Sequence, residues 1–128
     1  MKYRKIKLKS GTEILLGKDA ESNDELVKEF KGKENIILHT VASGSGFCVI
    51  EKLNPTQEDV KDSAVFCARY SQDWRDNKKD VCVHVFNGRQ VKKPFLAKKG
   101  TWKITGKAKV IKVKKEDILG LKHAPAGN

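Results

Sequence analysis

The stretch Val81-Cys82-Val83-His84-Val85-Phe86, followed by Asn87-Gly88, decides how this chain folds. Valine at every second position, with Cys82, His84 and Phe86 between, has the period of a strand and not of a helix. Apolar residues on both sides of the alternation predict that both faces of that strand are used, and Asn87-Gly88 predicts a turn after it. Upstream, Pro55-Thr56 opens the longest helix. Thr56 and Asp59 stand at the Ser/Thr-x-x-Asp/Glu capping spacing, and Val60, Ala64, Cys67 and Ser71 run along one face. Those small side chains let a helix lie close against a sheet. Phe66, Tyr70 and Trp74, four residues apart, are read as core and its margin.

Further out, residues 3–8 and 12–16 read as two strands joined by a tight turn at Ser10-Gly11. Ser22 or Asn23 offers an N-cap, with Asp24 and Glu25 in the first turn, for a helix over residues 23–31 that Gly32 ends. Ile36-Ile37-Leu38 is a buried strand that delivers His39 to its end. Residues 43–46, Ser-Gly-Ser-Gly, form a flexible loop, and residues 47–50 return as a strand. Past the turn at Gly88, residues 101–105 alternate Trp102 and Ile104 inward with Lys103 outward. Gly106-Lys107 turns the chain into a last strand over residues 108–113. The order is ββαββα followed by strands: one α+β domain over residues 3–119, with a mixed or antiparallel sheet and two helices. Residues 120–128, with Pro125 and Gly127, read as a flexible tail.

A chain of 128 residues is long enough to bury a core without metal or disulfide staples. Cys48, Cys67 and Cys82 are odd in number and unclustered, so they read as small core residues in a reducing compartment. No apolar run approaches the ~20 residues of a membrane span, and the N-terminus lacks the apolar stretch of a secretory signal. The expected location is the cytoplasm, with no membrane partner.

Charge carries more information. The chain holds 27 Lys and Arg against 16 Asp and Glu, a net +11. Residues 1–64 hold 11 of each sign, so the entire excess lies in the second half. Within it, residues 81–115 contain 11 basic side chains and no acid. A surface shaped only for solubility mixes signs; a field this one-sided fits a polyanionic partner.

Nothing assembles a convincing active site. Cys82-x-His84 is the only close Cys/His pair, so no metal site is expected. Gly44-x-Gly46 lacks the lysine and spacing of nucleotide-binding loops. Asp19, Asp24, Asp59 and Asp62 lie near helix starts, where capping explains them. The expectation is no catalytic residue, no cofactor, no small-molecule substrate, and not an enzyme. The basic segment reads differently. Arg89, Lys92, Lys93, Lys98 and Lys99 flank Pro94 and precede the strand that bears Lys103, an arrangement able to track phosphates. Few exposed aromatics interleave with these charges. That points to shape and backbone reading of folded RNA rather than to stacking on single strands. A basic adaptor for an acidic protein, or a small RNA-processing enzyme using His39, stays open as a rival.

By these residues the chain resembles the NFACT-R domain, the RNA-binding module of the NFACT proteins that act on obstructed large ribosomal subunits. Gly17-Lys18-Asp19-Ala20 followed by Asn23-Asp24-Glu25-Leu26 is similar to the family's Gly-Arg-Asn and Asn-Asp-x-Leu segment. Ile37-Leu38-His39 stands where the family has Trp-Leu-His, and Gly44-Ser45 begins its glycine-serine loop. Ala68-Arg69-Tyr70-Ser71 with Trp74 resembles its helix end, and Val91-Lys92-Lys93-Pro94 with Gly100 resembles its Val-x-Lys-Pro…Gly block. Two departures stand out: Gly46-Phe47 follows Ser45 where the family commonly has histidine, and Lys18 replaces an arginine. The resemblance implies binding of tRNA or ribosomal RNA, with the large ribosomal subunit as a partner, and gives that role to Lys18, His39, Ser45, Arg89, Lys92 and Lys93. It does not imply elongation of tails on stalled chains, which depends on other domains of those proteins.

Overall fold

The computed structural model describes residues 3–123, with side chains to Leu121. Eight strands and four helices follow in the order β1 (Arg4–Lys7), β2 (Glu13–Leu16), α1 (Ala20–Phe30), β3 (Ile36–Thr40), β4 (Cys48–Ile50), α2 (Gln57–Arg69), α3 (Gln72–Asn77), β5 (Val81–Asn87), β6 (Val91–Lys92), β7 (Lys103–Ile104), β8 (Lys109–Val113) and α4 (Lys115–Leu119). Six strands form one sheet in the order β1-β2-β4-β3-β5-β8, antiparallel at every pairing, and β6 pairs with β7 as a separate ribbon. The α+β class is as expected. The helix count is four rather than two, because Gln72–Asn77 and Lys115–Leu119 are too short for apolar periodicity to mark them.

The alternation in β5 becomes a two-sided sheet. Val81, Val83 and Val85 are buried beneath α2 with Leu38, Cys48, Leu16, Ala64, Cys67 and Ala68. A buried valine contributes about 1.5–3 kcal/mol over an exposed one, so this face anchors the strand. The opposite face has a second core, where Leu15, Ile37, Val49 and Phe86 meet Leu26, Val27 and Phe30 of α1 and Val91 of the ribbon. That core covers part of the face, and His39 and His84, register partners on β3 and β5, stay half-buried beyond it. The result is three layers, with the ribbon and α1 on one side and α2 on the other.

Capping explains the helix bounds. Thr56 caps α2 as expected, accepting from the Asp59 amide at 3.0 Å. Asp59 in turn accepts from the hydroxyls of Ser10 at 2.6 Å and Thr12 at 2.8 Å, which ties the first hairpin to α2 and holds its carboxyl below the usual range. For α1 the cap is Asp19, not Ser22 or Asn23. Asp19 accepts from the Ser22 amide at 2.8 Å, while Ser22 Oγ accepts from the amides of Lys18 and Asp19. The helix therefore starts three residues earlier than expected. This frees Asn23 to accept from the Phe47 amide at 2.9 Å and Asp24 to face the ribbon. Asn87 caps a short 3-10 turn over Gly88–Gln90. At the far end Leu121 packs on the core, two residues past the expected domain boundary; the rest of the expected tail, residues 124–128, lies outside the described residues.

Candidate nucleic-acid interface

A groove of about 490 Å³ opens where the start of α1, the loop of residues 43–46, the start of α3 and the ribbon loop converge. Lys18 and Ala20 stand on one wall, the glycine-serine loop on another, and Lys99, Gly100, Thr101 and Trp102 on a third, with His39 and Phe47 below. Arg4 and Arg75 complete its rim. Four cations from four separate parts of the chain thus face one space, with Asp19 as the carboxylate at its edge.

Each is positioned by identifiable contacts. Gly46 lies against Gly17, whose amide donates to the Phe47 carbonyl at 2.9 Å, so the loop and the α1 start share a backbone seam. Arg4 sits over the Tyr70 ring at 4.7 Å, and Arg75 donates to Gln72 Oε1 at 2.9 Å. Because Ser22 and Asp19 cap α1 between them, the amides of Lys18, Asp19 and Ser22 are already taken. Anion attraction at this wall falls to the Lys18 ammonium.

The ribbon loop is held by a clamp that the spacing of the sequence does not show. Asp24 Oδ1 accepts from Lys93 Nζ at 2.6 Å and from the Gly100 amide at 3.0 Å, and Oδ2 pairs with Lys28 Nζ at 3.2 Å. Lys93 also donates to the Lys98 carbonyl at 2.9 Å and lies 5.0 Å above the Trp102 ring. Burial alone would raise the Asp24 carboxyl; the hydrogen bonds from Lys93, Gly100 and Lys28 outweigh it and hold it well below the usual carboxylate range. Gly100 has φ +82, and a Cβ there would lie 2.9 Å from the Ala20 backbone, so the loop docks on α1 by glycine.

The nine residues singled out from sequence separate into groups. Lys18, His39, Ser45 and Lys99 meet at the groove, with Lys98 next to it on the loop. Ser45 is turned inward: its hydroxyl accepts from the Thr40 amide and donates to the Gly46 carbonyl, each at 3.2 Å, so the groove receives backbone there. His39 Nδ1–H donates to the Thr40 carbonyl at 2.8 Å, and its ring lies 4.4 Å from Phe47. Burial lowers its pKa, and His84 adds to this against the Thr40 and Ser45 backbone. Lys93 is committed to Asp24. Arg89 lies away from the groove and pairs with Glu34 at 3.2 Å, both largely exposed; such a pair is weak and exchangeable. Lys92 and Lys103 are register partners on the ribbon, both exposed, and repel unless an anion joins them. Further along, Lys112 and Lys114 approach Asp80 at 4.0 Å. The acid-free stretch therefore does not form a single face.

Arg4, Arg75 and Trp102 were missed. Arg75 lies in a segment of mixed charge, Arg4 in a short basic run (residues 2–9, five Lys and Arg and no acid) that reads only as a strand, and only the fold brings them to Lys18. Cys48 and Cys67 are buried core residues; burial pushes the Cys67 thiol up to about 12 and Cys48 well above its ordinary value. Among the described residues no three His, Cys, Asp or Glu side chains gather as metal ligands, and no helix is long and apolar enough to cross a membrane.

The fold is a small three-layer α+β domain, and four cations rim the groove at one end of its sheet. The model of the NFACT protein RNA binding domain matches residues 2–107, and the chain belongs to that family. It is 31% identical over 91 residues to the Rqc2 homolog RqcH of Bacillus subtilis (strain 168), covering 71% of this chain and 16% of that protein. The C-terminal part of the fibronectin/fibrinogen-binding protein from Streptococcus suis superposes with a TM-score of 0.80 at 26% identity, over 94% of this chain and 49% of that one.

Proposed function

We propose that the domain grips phosphates of folded RNA, either tRNA or ribosomal RNA, in the groove rimmed by Arg4, Lys18, Arg75 and Lys99, and that it does so in the cytoplasm during translation or ribosome quality control. The observation that carries this reading is the convergence of those four cations on one concave site. Membership of an RNA-binding family and similarity to an Rqc2 homolog support it. Lys98, Lys92 and Lys103 extend the positive surface along the ribbon, with Arg89 farther off. The domain acts as a binder and not a catalyst: His39 is half-buried, with Nδ1 held by the Thr40 carbonyl, and serves as floor.

Phosphate neutralisation makes such binding steeply salt-dependent. With three or four phosphates engaged, log K for bulk tRNA should fall against log salt with a slope of about −3, read by fluorescence anisotropy between roughly 50 and 300 mM salt. Lys18→Ala and Lys99→Ala should each weaken binding and flatten the slope by about one. No detectable tRNA binding at low salt, or an unchanged slope in both variants, removes the groove from the account.

A further inference from the structure

Phe95 and Leu96 are 92% and 86% exposed, the two most exposed large apolar side chains of the described residues. They sit at the tip of the ribbon loop, where the Ala97 amide donates to the Pro94 carbonyl at 3.0 Å to close a four-residue turn. Leu96 occupies the third turn position with φ +61, a conformation that bulky residues avoid and glycine or asparagine ordinarily fills. The next turn, closed by the Thr101 amide on the Lys98 carbonyl, does use glycine there, at Gly100. A strained, solvent-facing leucine beside an exposed phenylalanine adds nothing to the core. Strain kept at such a tip is a mark of function.

The surroundings say what the tip meets. Lys92, Lys98, Lys99 and Lys103 flank it and make no ion pair among the described residues. The clamp of Asp24 on Lys93 and Gly100 fixes the loop as a unit. Phe95 is four residues from Lys99, so their Cα atoms lie within about 14 Å of each other, and a nucleic acid held at the groove has its bases within reach of the tip. An aromatic face next to phosphate-binding lysines is the arrangement that stacks on a base. The sequence, with few exposed aromatics among these charges, favoured shape and backbone reading over stacking on single strands; Phe95 is an exposed aromatic beside them.

We infer that Phe95, supported by Leu96, stacks against an unpaired base of the RNA whose phosphates occupy the groove. The inference rests on the proposed RNA reading and narrows its ligand to RNA with an unpaired base, a bulge or loop, beside a phosphate run. A continuous duplex hides its base faces and offers the tip nothing.

Two hairpin RNAs of equal length and charge test it, one fully paired through its stem and one with a bulged purine, the loop being closed by the same stable tetraloop. The wild-type domain should favour the bulged RNA. Phe95→Ala, at an exposed position that leaves the fold intact, should bind it about tenfold more weakly with an unchanged salt slope, and bind the paired RNA within twofold of wild type. Phe95→Trp should retain the preference, with indole emission quenched by the bulged RNA beyond the wild-type background of Trp74 and Trp102. Equal losses on both RNAs, or none on either, overturn the inference while leaving the groove reading intact. Sedimentation with anionic phosphatidylserine vesicles that depends on Phe95, with RNA binding indifferent to it, assigns the tip to a lipid surface and also overturns it. If the wild-type domain binds neither RNA, the groove reading falls and this inference falls with it.

Discussion

Asp24→Ala is expected to lower stability by about 3 kcal/mol, and with it the melting temperature by roughly 10 °C for a domain of this size. Asp24 is buried, and the substitution removes the carboxylate that holds Lys93, the Gly100 amide and Lys28 together. Removing one partner of a fully buried pair costs about 3–5 kcal/mol. The lower end applies because the Lys93 side chain is 27% exposed and can turn to water. The loss should be visible in urea unfolding, and RNA affinity should fall as well, because Lys98, Lys99 and Phe95 ride on the released loop. The same carboxylate sets an acid limb. Its folded-state pKa lies below the unfolded value of about 3.9, so on acidification the unfolded chain takes up the proton first. The stabilisation is present above that value and is lost as pH falls below about 4. Wild type and Asp24→Ala should therefore converge in stability towards strong acid. A difference under 1 kcal/mol at neutral pH would mean that the loop is held by something other than this clamp.

Gly46→Ala is expected to damage the fold by a comparable amount for an unrelated reason. A Cβ on Gly46 would lie 1.9 Å from the Gly17 carbonyl oxygen and 2.8 Å from its carbon. Both are backbone atoms, and Gly17 is fixed by the hydrogen bond its amide donates to the Phe47 carbonyl at 2.9 Å. The seam must open or a hydrogen bond must break, and overpacking of this kind costs about 1–3 kcal/mol, more where backbone has to shift. Because that seam joins two walls of the groove, tRNA binding should weaken more than melting alone explains. A variant that melts within about 2 °C of wild type and binds tRNA normally would show that the walls are not coupled.

The contacts of these two residues were not legible in the sequence, whereas local features were. The valine alternation at residues 81–85 and the Thr56 cap could be read because strand period and capping are local properties. Lys18, His39, Ser45 and Lys99 were singled out from sequence, the first three through likeness to a family and Lys99 through an acid-free run, and the fold brings all four to one groove. Charge alone could not sort that run, because which lysine meets a carboxylate depends on contacts far apart in sequence. Lys93 meets Asp24 across 69 residues and Arg89 meets Glu34 across 55. Arg4 and Arg75 were invisible for the same reason: one stands in a short basic strand and the other among mixed charges, and only long-range packing brings either to Lys18. Asp19 was legible as lying near a helix start, but Ser22 and Asn23 offer equally good capping chemistry three and four residues later, so the sequence points to them as the N-cap. Phe95 drew no reading from the sequence, because only its place on a clamped turn shows that it has no core to join.

Amide chemical-shift mapping of the isotopically labelled domain titrated with bulk tRNA tests the groove most directly. Perturbations should concentrate at residues 17–20, 43–47 and 98–102 and fade as salt rises. A footprint confined to Arg89 and to the strand Lys109–Val113, with residues 17–20 and 43–47 unmoved, would contradict the assignment.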